Sequence, residues 1–294
     1  MHLLLEKLGK HSVMIIHDAS KVQRYDFLKN FDQILSYSQN LDLIKYLPSG
    51  QIESAIVLDV PSFNRLGDVS KLIPAKADVL KIDHHPLEDE MGQLEWIDVN
   101  VSSTTAMVYE IYKQSGIAIN QDMATALYTG ILYDTGRFSF SNTKARDYQI
   151  AAEMVGLGVK PADVNNRVFF ENNFDSLKTI GKGLSSLENY LDGKVNVVYL
   201  SHQELAGQYQ SEIEELANYS ISVRGGEVGL FIREIEPDFH KISLRARNFV
   251  DVNLVAKAFD GGGHTRAAGC RISGTRENVI KKLLAEINKQ LSKV

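Results

Sequence analysis

The chain has 294 residues, a 44% hydrophobic fraction and a formal net charge of −5, enough for one large or two ordinary domains with real cores, and the acidic balance argues against coating long duplex nucleic acid. Cys270 is the single cysteine; this excludes an intrachain disulfide, points to a reducing compartment and reads as a small buried hydrophobe. No apolar run reaches the roughly 18 residues that span a bilayer and no signal pattern opens the chain, so the expectation is a soluble, cytoplasmic protein with no membrane partner.

Met1 to Lys10 reads as a helix. Short apolar runs at Ser12 to His17, Ala55 to Asp59 and Val79 to Asp83 read as strands buried on both faces. Helical periodicity follows at Ser103 to Gln114 and at Asp122 to Tyr133, the pattern of a parallel sheet with covering helices. Between Asn172 and Leu191, the spacing of Phe174, Leu177, Ile180, Leu184, Leu187 and Leu191 predicts an inter-domain helix. Strands are then expected at Lys194 to Leu200, Glu227 to Ile235 and Lys241 to Ala246, with Pro237-Asp238 turning between the last two. A helix at Val252 to Phe259, a glycine run, a strand at Ala268 to Ile272 and a helix from Arg276 to Leu291 complete a smaller α+β domain.

Two motifs carry chemistry. Asp83-His84-His85-Pro86 ends the strand Val79 to Asp83 and delivers metal-ligand types to the carboxyl edge of a sheet, where open α/β folds place their sites. Gly261-Gly262-Gly263-His264 offers backbone N–H groups that approach an anion closely, plus a titratable donor. Asp59 ends a second strand, and Asp134 ends a helix before Thr135-Gly136. A carboxylate at a helix C-terminus faces the negative end of the dipole, and a bound cation reverses that penalty.

Taken in order, Lys81-Ile82-Asp83-His84-His85-Pro86, Val101-Ser102-Ser103-Thr104, Tyr128-Thr129-Gly130-Ile131, Asp134-Thr135-Gly136-Arg137-Phe138 and the glycine-histidine run resemble the DHH phosphoesterase superfamily. More narrowly they resemble bacterial nanoRNase and pAp phosphatase proteins with a DHHA1 second domain. The resemblance implies an α/β DHH domain over residues 1–171, a linker helix at 172–192 and a DHHA1 substrate-binding domain over 193–294. It also implies a hydrolase acting on very short oligonucleotides or on the 3′-phosphate of pAp, with a cyclic or linear dinucleotide phosphodiesterase as the alternative. By motif, Asp59 would bridge two manganese ions, His84 and Asp134 would complete the second, Asp83 would orient His84, and His85 would meet the scissile phosphate or its leaving group. Zinc suits the same ligands. Arg245, Gly261, Gly262, Gly263 and His264 would grip the far end of a short nucleotide, with Arg137 a further substrate-side candidate and Arg247 left between substrate contact and solvated face. A homodimer fits the family.

The family begins with a strand carrying His-x-x-x-Asp-x-Asp, and no Asp-x-Asp occurs in the 294 residues. The expectation is therefore a DHH domain without its first strand and amino-terminally incomplete, in either a truncated enzyme or a degenerate homologue that binds nucleotide without hydrolysing it. A single metal held by Asp59, His84 and Asp134 is a third reading. His17-Asp18 is a less favoured substitute for the absent motif.

Overall fold

β-rich runs joined through helical segments pair side by side in parallel, because the crossover returns each strand in the same direction. In the computed structural model, which describes residues 1–17, 22–37, 43–46, 52–73, 78–205 and 210–292, this organises the first of two units, Met1–Glu171. The runs expected to be buried on both faces are only partly so, with Val57 buried in the second and Lys81, Ile82 and Asp83 in the third. After α1 (His2–Lys7), β1 (Ile15–Ile16) pairs in parallel with β2 (Leu35–Ser36). A second parallel sheet comprises β3 (Ser54–Leu58), β4 (Asp78–Asp83) and β5 (Leu94–Ile97), in that order, with α2 (Phe63–Leu66) after β3. The strand expected over Ser12 to His17 shortens to the two residues that find a partner, and Asp18 lies outside the described residues. His17 lies beside Tyr37, ring centroids 6.4 Å apart, and joins none of the candidate ligand groups among the described residues.

The helices that follow are α3 (Thr104–Ser115), α4 (Gln121–Asp134), α5 (Ala145–Gly156) and α6 (Pro161–Asn165), the last running into a π-helical turn at Asn166–Phe170. Local chemistry sets their ends. Ser103 and Asn120 accept the N–H groups of Ala106 and Met123 as N-caps of α3 and α4, satisfying donors the helix leaves open. Gly116, at φ 70°, closes α3 in the left-handed region. A Cβ at Gly130 would meet Thr105 Oγ1 at 2.2 Å, so that glycine lets α3 and α4 approach closely. Met123, Leu127, Ile131, Ile150 and Met154 are buried in the resulting core.

The second unit, Asn172–Val294, opens with α7 (Phe174–Ser185), then β6 (Glu188–Tyr190), β7 (Val195–Leu200), α8 (His202–Leu205), α9 (Gln210–Ile213), α10 (Leu216–Ile221), β8 (Val228–Glu236), β9 (Phe239–Ala246), α11 (Val252–Lys257), β10 (Gly262–His264), β11 (Ala267–Ser273) and α12 (Arg276–Leu291). Its sheet runs β10-β11-β9-β8-β7-β6, with only the β7–β8 pair parallel. The alternation of side chains along these strands divides the apolar residues between two cores. Leu230, Ile232, Ile242, Leu244, Cys270 and Ile272 pack with Val255, Leu283 and Ile287 of the helices on one face. Phe231 packs with Leu205, Ile213, Leu216 and Ala217 on the other. Cys270 is buried, and that burial pushes its thiol up to about 12.

The helix expected through Leu191 stops at Ser185, and Glu188–Tyr190 is an edge strand instead. The buried residues of α7 are the small Ser176, Thr179 and Gly183, while Phe174, Leu177 and Leu184 are exposed. A Cβ at Gly183 would stand 2.5 Å from Leu216, so close approach to α10, rather than the leucine stripe, chooses the packed face. Among the described residues no helix is long and apolar enough to cross a membrane.

Candidate metal and phosphate site

The parallel ladder aligns β3 and β4 so that Leu58 stands opposite Ile82, which brings the next residues, Asp59 and Asp83, to one sheet edge. Asp59 donates its N–H to the Ile82 carbonyl, 3.1 Å away, and takes φ 62°, a left-handed conformation that aspartate tolerates better than most residues. Thr104, at the start of α3, donates its hydroxyl to Asp59 Oδ1 at 2.7 Å. Asp59 Oδ1 lies 3.5 Å from His84 Nε2 and 3.8 Å from His85 Nδ1.

Two sets of ligand-type atoms meet around Asp59: those of Asp59, His84 and Asp134, and those of Asp59, Asp83 and His85, each within 4.8 Å of one another. Asp134 reaches the first set from the carboxyl end of α4, where Asn142 Nδ2 donates to its main-chain oxygen and to that of Ser102, both at 3.0 Å. Ser102 is anchored in turn by a 2.5 Å bond to the buried Asp147, which also accepts the N–H of Lys144. Burial first, and then the neighbouring Asp59 charge, push Asp134 up to about 7, with His85 opposing. Burial and the His85 charge lower the His84 imidazole.

Asp83 is fully buried. Its Oδ1 accepts both the ring Nδ1, at 2.7 Å, and the main-chain N–H of His85, at 3.0 Å, so it orients His85 rather than His84 as the family pattern implied. Burial alone would raise Asp83, but its bonds to His85 outweigh that and lower it. Burial likewise pulls His85 down, while the Asp83 bond and the Asp59 charge raise it overall. Asp83 Oδ2 is buried without a hydrogen-bond partner among the described residues. A buried carboxylate oxygen without a partner at Asp83, and a carboxylate at Asp134 raised by burial and by Asp59, are each an imbalance a cation corrects, and the oxygen and imidazole donors fit a hard or borderline divalent metal.

In the second unit, His264 stands opposite Ala267, Ala267 opposite Arg245, and Arg245 opposite Gly229. Paired residues share a sheet face, so His264 and Arg245 occupy one row with only an alanine between them. Arg245 Nε donates to Asn218 Oδ1 at 3.2 Å, and Nη1 to the Leu244 carbonyl at 3.1 Å. Arg247 donates to the Ile221 carbonyl at 2.6 Å, tying the end of β9 to α10. The glycines have a packing reason of their own: a Cβ at Gly261 would meet the Gly269 carbonyl oxygen at 2.3 Å, and one at Gly263, where φ is 149°, the Ala267 carbonyl oxygen at 2.6 Å. Gly262 is buried within the same strand. Arg137 lies in the first unit beyond α4, exposed, with φ 61°.

In each unit, polar side chains whose partners no motif marks also help to fix the structure. Thr104 carried a signal, the Ser-Ser-Thr run before a helix, but nothing in that run names Asp59 as its partner. Lys81 is fully buried and donates to the carbonyls of Pro61, at 2.9 Å, and Asp89, at 3.0 Å, tying down the loops that leave β3 and β4. Arg233, also fully buried, reaches Glu214 at 2.7 Å and Ser243 at 3.0 Å. Both sit inside apolar runs, where periodicity marks only a strand.

The DHH family, N-terminal domain, matches residues 13–131, and the DHHA1 domain matches residues 193–293. The bifunctional oligoribonuclease and PAP phosphatase of Bacillus subtilis is 31% identical over 79% of this chain and 73% of its own length. The chain belongs to the DHH family. Its DHHA1 half gives it the family's two-domain form, and the family makes it a phosphoester hydrolase by descent. The corresponding Thermus thermophilus protein is 29% identical over 100% of this chain and 85% of its own. An exopolyphosphatase-related protein from Bacteroides fragilis shares the fold, with a TM-score of 0.87, 23% identity, and coverage of 97% of this chain and 85% of that one.

Proposed function

We propose that this DHH protein hydrolyses very short oligonucleotides and the 3′-phosphate of pAp, using manganese held by Asp59, His84 and Asp134, with Asp83 and His85 beside a second position. The observation that carries the reading is the sharing of Asp59 between two ligand sets, the arrangement a two-metal phosphoesterase needs. The names of the Bacillus and Thermus relatives support the substrate class.

When bound, such ions supply Lewis acidity and an activated water at neutral pH. The chain's own residues do the positioning. Asp83 accepts the Nδ1 proton of His85 and fixes the orientation of the ring that would meet a substrate oxygen. Thr104 holds Asp59 at Oδ1, leaving its other oxygen for a ligand. Asn142 fixes the backbone of Asp134. In the second unit, Arg245 and His264 offer cationic and hydrogen-bonding groups from one sheet row to a terminal phosphate.

The test is manganese-dependent turnover of pAp and of a labelled dinucleotide by the protein and by its Asp59→Asn and Asp134→Asn variants. Turnover that both variants lose by at least ~10²-fold supports the reading. Nucleotide binding without turnover, lost on Arg245→Ala or His264→Ala, would replace it with a nucleotide-binding module.

A further inference from the structure

The phosphoester chemistry leaves unused an aromatic ladder that starts beside Asp134. Tyr133 meets Tyr25 edge-on, with centroids 6.1 Å apart, and lies near-parallel to Phe169 at 6.2 Å, the interplanar angle being 15°. The Arg137 guanidinium then sits 4.9 Å from the Phe169 ring centroid and 5.6 Å from that of Phe170. Tyr133 directly precedes Asp134 in the last turn of α4, which sets the foot of the ladder next to a member of the ligand set.

The ladder meets solvent both at its start and at its outer end. Phe170 is 63% exposed and Tyr133 44%, an arrangement that burial of apolar surface alone does not explain. The backbone on both sides is unusual. Gly136, Arg137 and Phe138 take successive φ values of 53°, 61° and 62°, a left-handed run in which the two non-glycine residues are strained. Thr135 holds that turn by accepting the Phe138 N–H at its hydroxyl, 3.1 Å away. Phe169 and Phe170 end a π-helical turn, a distortion that occurs frequently at functional sites. Two separate departures from regular backbone thus bring one guanidinium and two rings together.

We propose that Arg137, Phe169 and Phe170 form a stacking platform for a nucleobase of the substrate whose phosphate meets the Asp59–His84–Asp134 set. This rests on the phosphoesterase reading. Aromatic and guanidinium planes accept any base through its π-face, so the platform would favour nucleotides over base-free phosphoesters without selecting sequence.

The experiment uses the full chain with manganese and a dinucleotide carrying 2-aminopurine, whose fluorescence is quenched on stacking. Titration is run for the protein, Phe170→Ala and Arg137→Gln, with melting temperatures checking the fold. Quenching in the parent and binding weakened roughly tenfold in each variant are expected. In turnover by Phe170→Ala, KM for the dinucleotide should rise about tenfold with kcat held, while KM for an abasic phosphodiester stays level. No quenching in the parent, or quenching unchanged in folded variants, would overturn the platform. The two readings separate: Phe170-dependent quenching without turnover removes hydrolysis and keeps the platform, and turnover with Phe170-independent binding does the reverse.

Discussion

Asp83 Oδ1 accepts two hydrogen bonds from His85, one from ring Nδ1 at 2.7 Å and one from the main chain at 3.0 Å. The imidazole is therefore fixed in both orientation and tautomer by a residue two positions earlier. Asp83→Asn presents an amide where a carboxylate stood and weakens that control. Turnover of pAp is expected to fall by ~10² or more with the fold intact, measured by steady-state kinetics beside circular dichroism. Unchanged kcat would remove Asp83 from the mechanism.

Metal should also register as stability. Manganese at about 100 times its Kd is expected to stabilise the native protein by about 2.7 kcal/mol, read by chemical denaturation, and His84→Ala should abolish the shift. Thr104→Val, which removes the hydroxyl donated to Asp59 Oδ1, should weaken manganese binding roughly tenfold in calorimetry.

Gly263 tests whether the glycine run is structural as well as functional. With φ at 149° and backbone atoms of Ala267 and Ala268 within 2.7 Å of any added Cβ, Gly263→Ala should cost about 2 kcal/mol or more. Gly193→Ala, also at positive φ but with nothing within 4 Å of the added atom, should cost less. Equal melting temperatures for the two variants would contradict the close-approach argument.

Glu227 is buried and accepts three successive main-chain N–H groups, from Asn248, Phe249 and Val250, at 2.7–3.1 Å through Oε1. Burial would raise its carboxyl, but these bonds outweigh it and hold the folded pKa below the usual value. The stabilisation is accordingly present above the unfolded pKa of about 4.3 and is lost as pH falls through the lower folded value. Glu227→Gln should lose about 2 kcal/mol at pH 7 and progressively less below about pH 4, measured by denaturant titration across that range. A pH-independent difference would exclude the charge as the cause.

The arrangement of Asp83, His84 and His85 at the end of an apolar run was legible because alternation, length and motif all agree there. α12 was legible to the residue, Arg276 to Leu291, because its apolar periodicity lies between a threonine cap and the chain's polar end. The stripe Phe174, Leu177, Leu184 misled, since period reports which residues share a face and not which face a neighbour can approach. Small residues decided that, and smallness is a property of the gap as much as of the residue.

By itself, the sequence determined the two-domain family, the parallel strands that carry Asp59 and Asp83, and the residue types available for metal and phosphate. Only the tertiary structure decided that Asp83 serves His85, that Thr104 holds Asp59, and that Arg137 lies over Phe169. Those pairings join residues whose separations along the chain range from two to 45 positions, and hydrogen-bond partners are chosen by distance and direction in space, which local pattern does not encode.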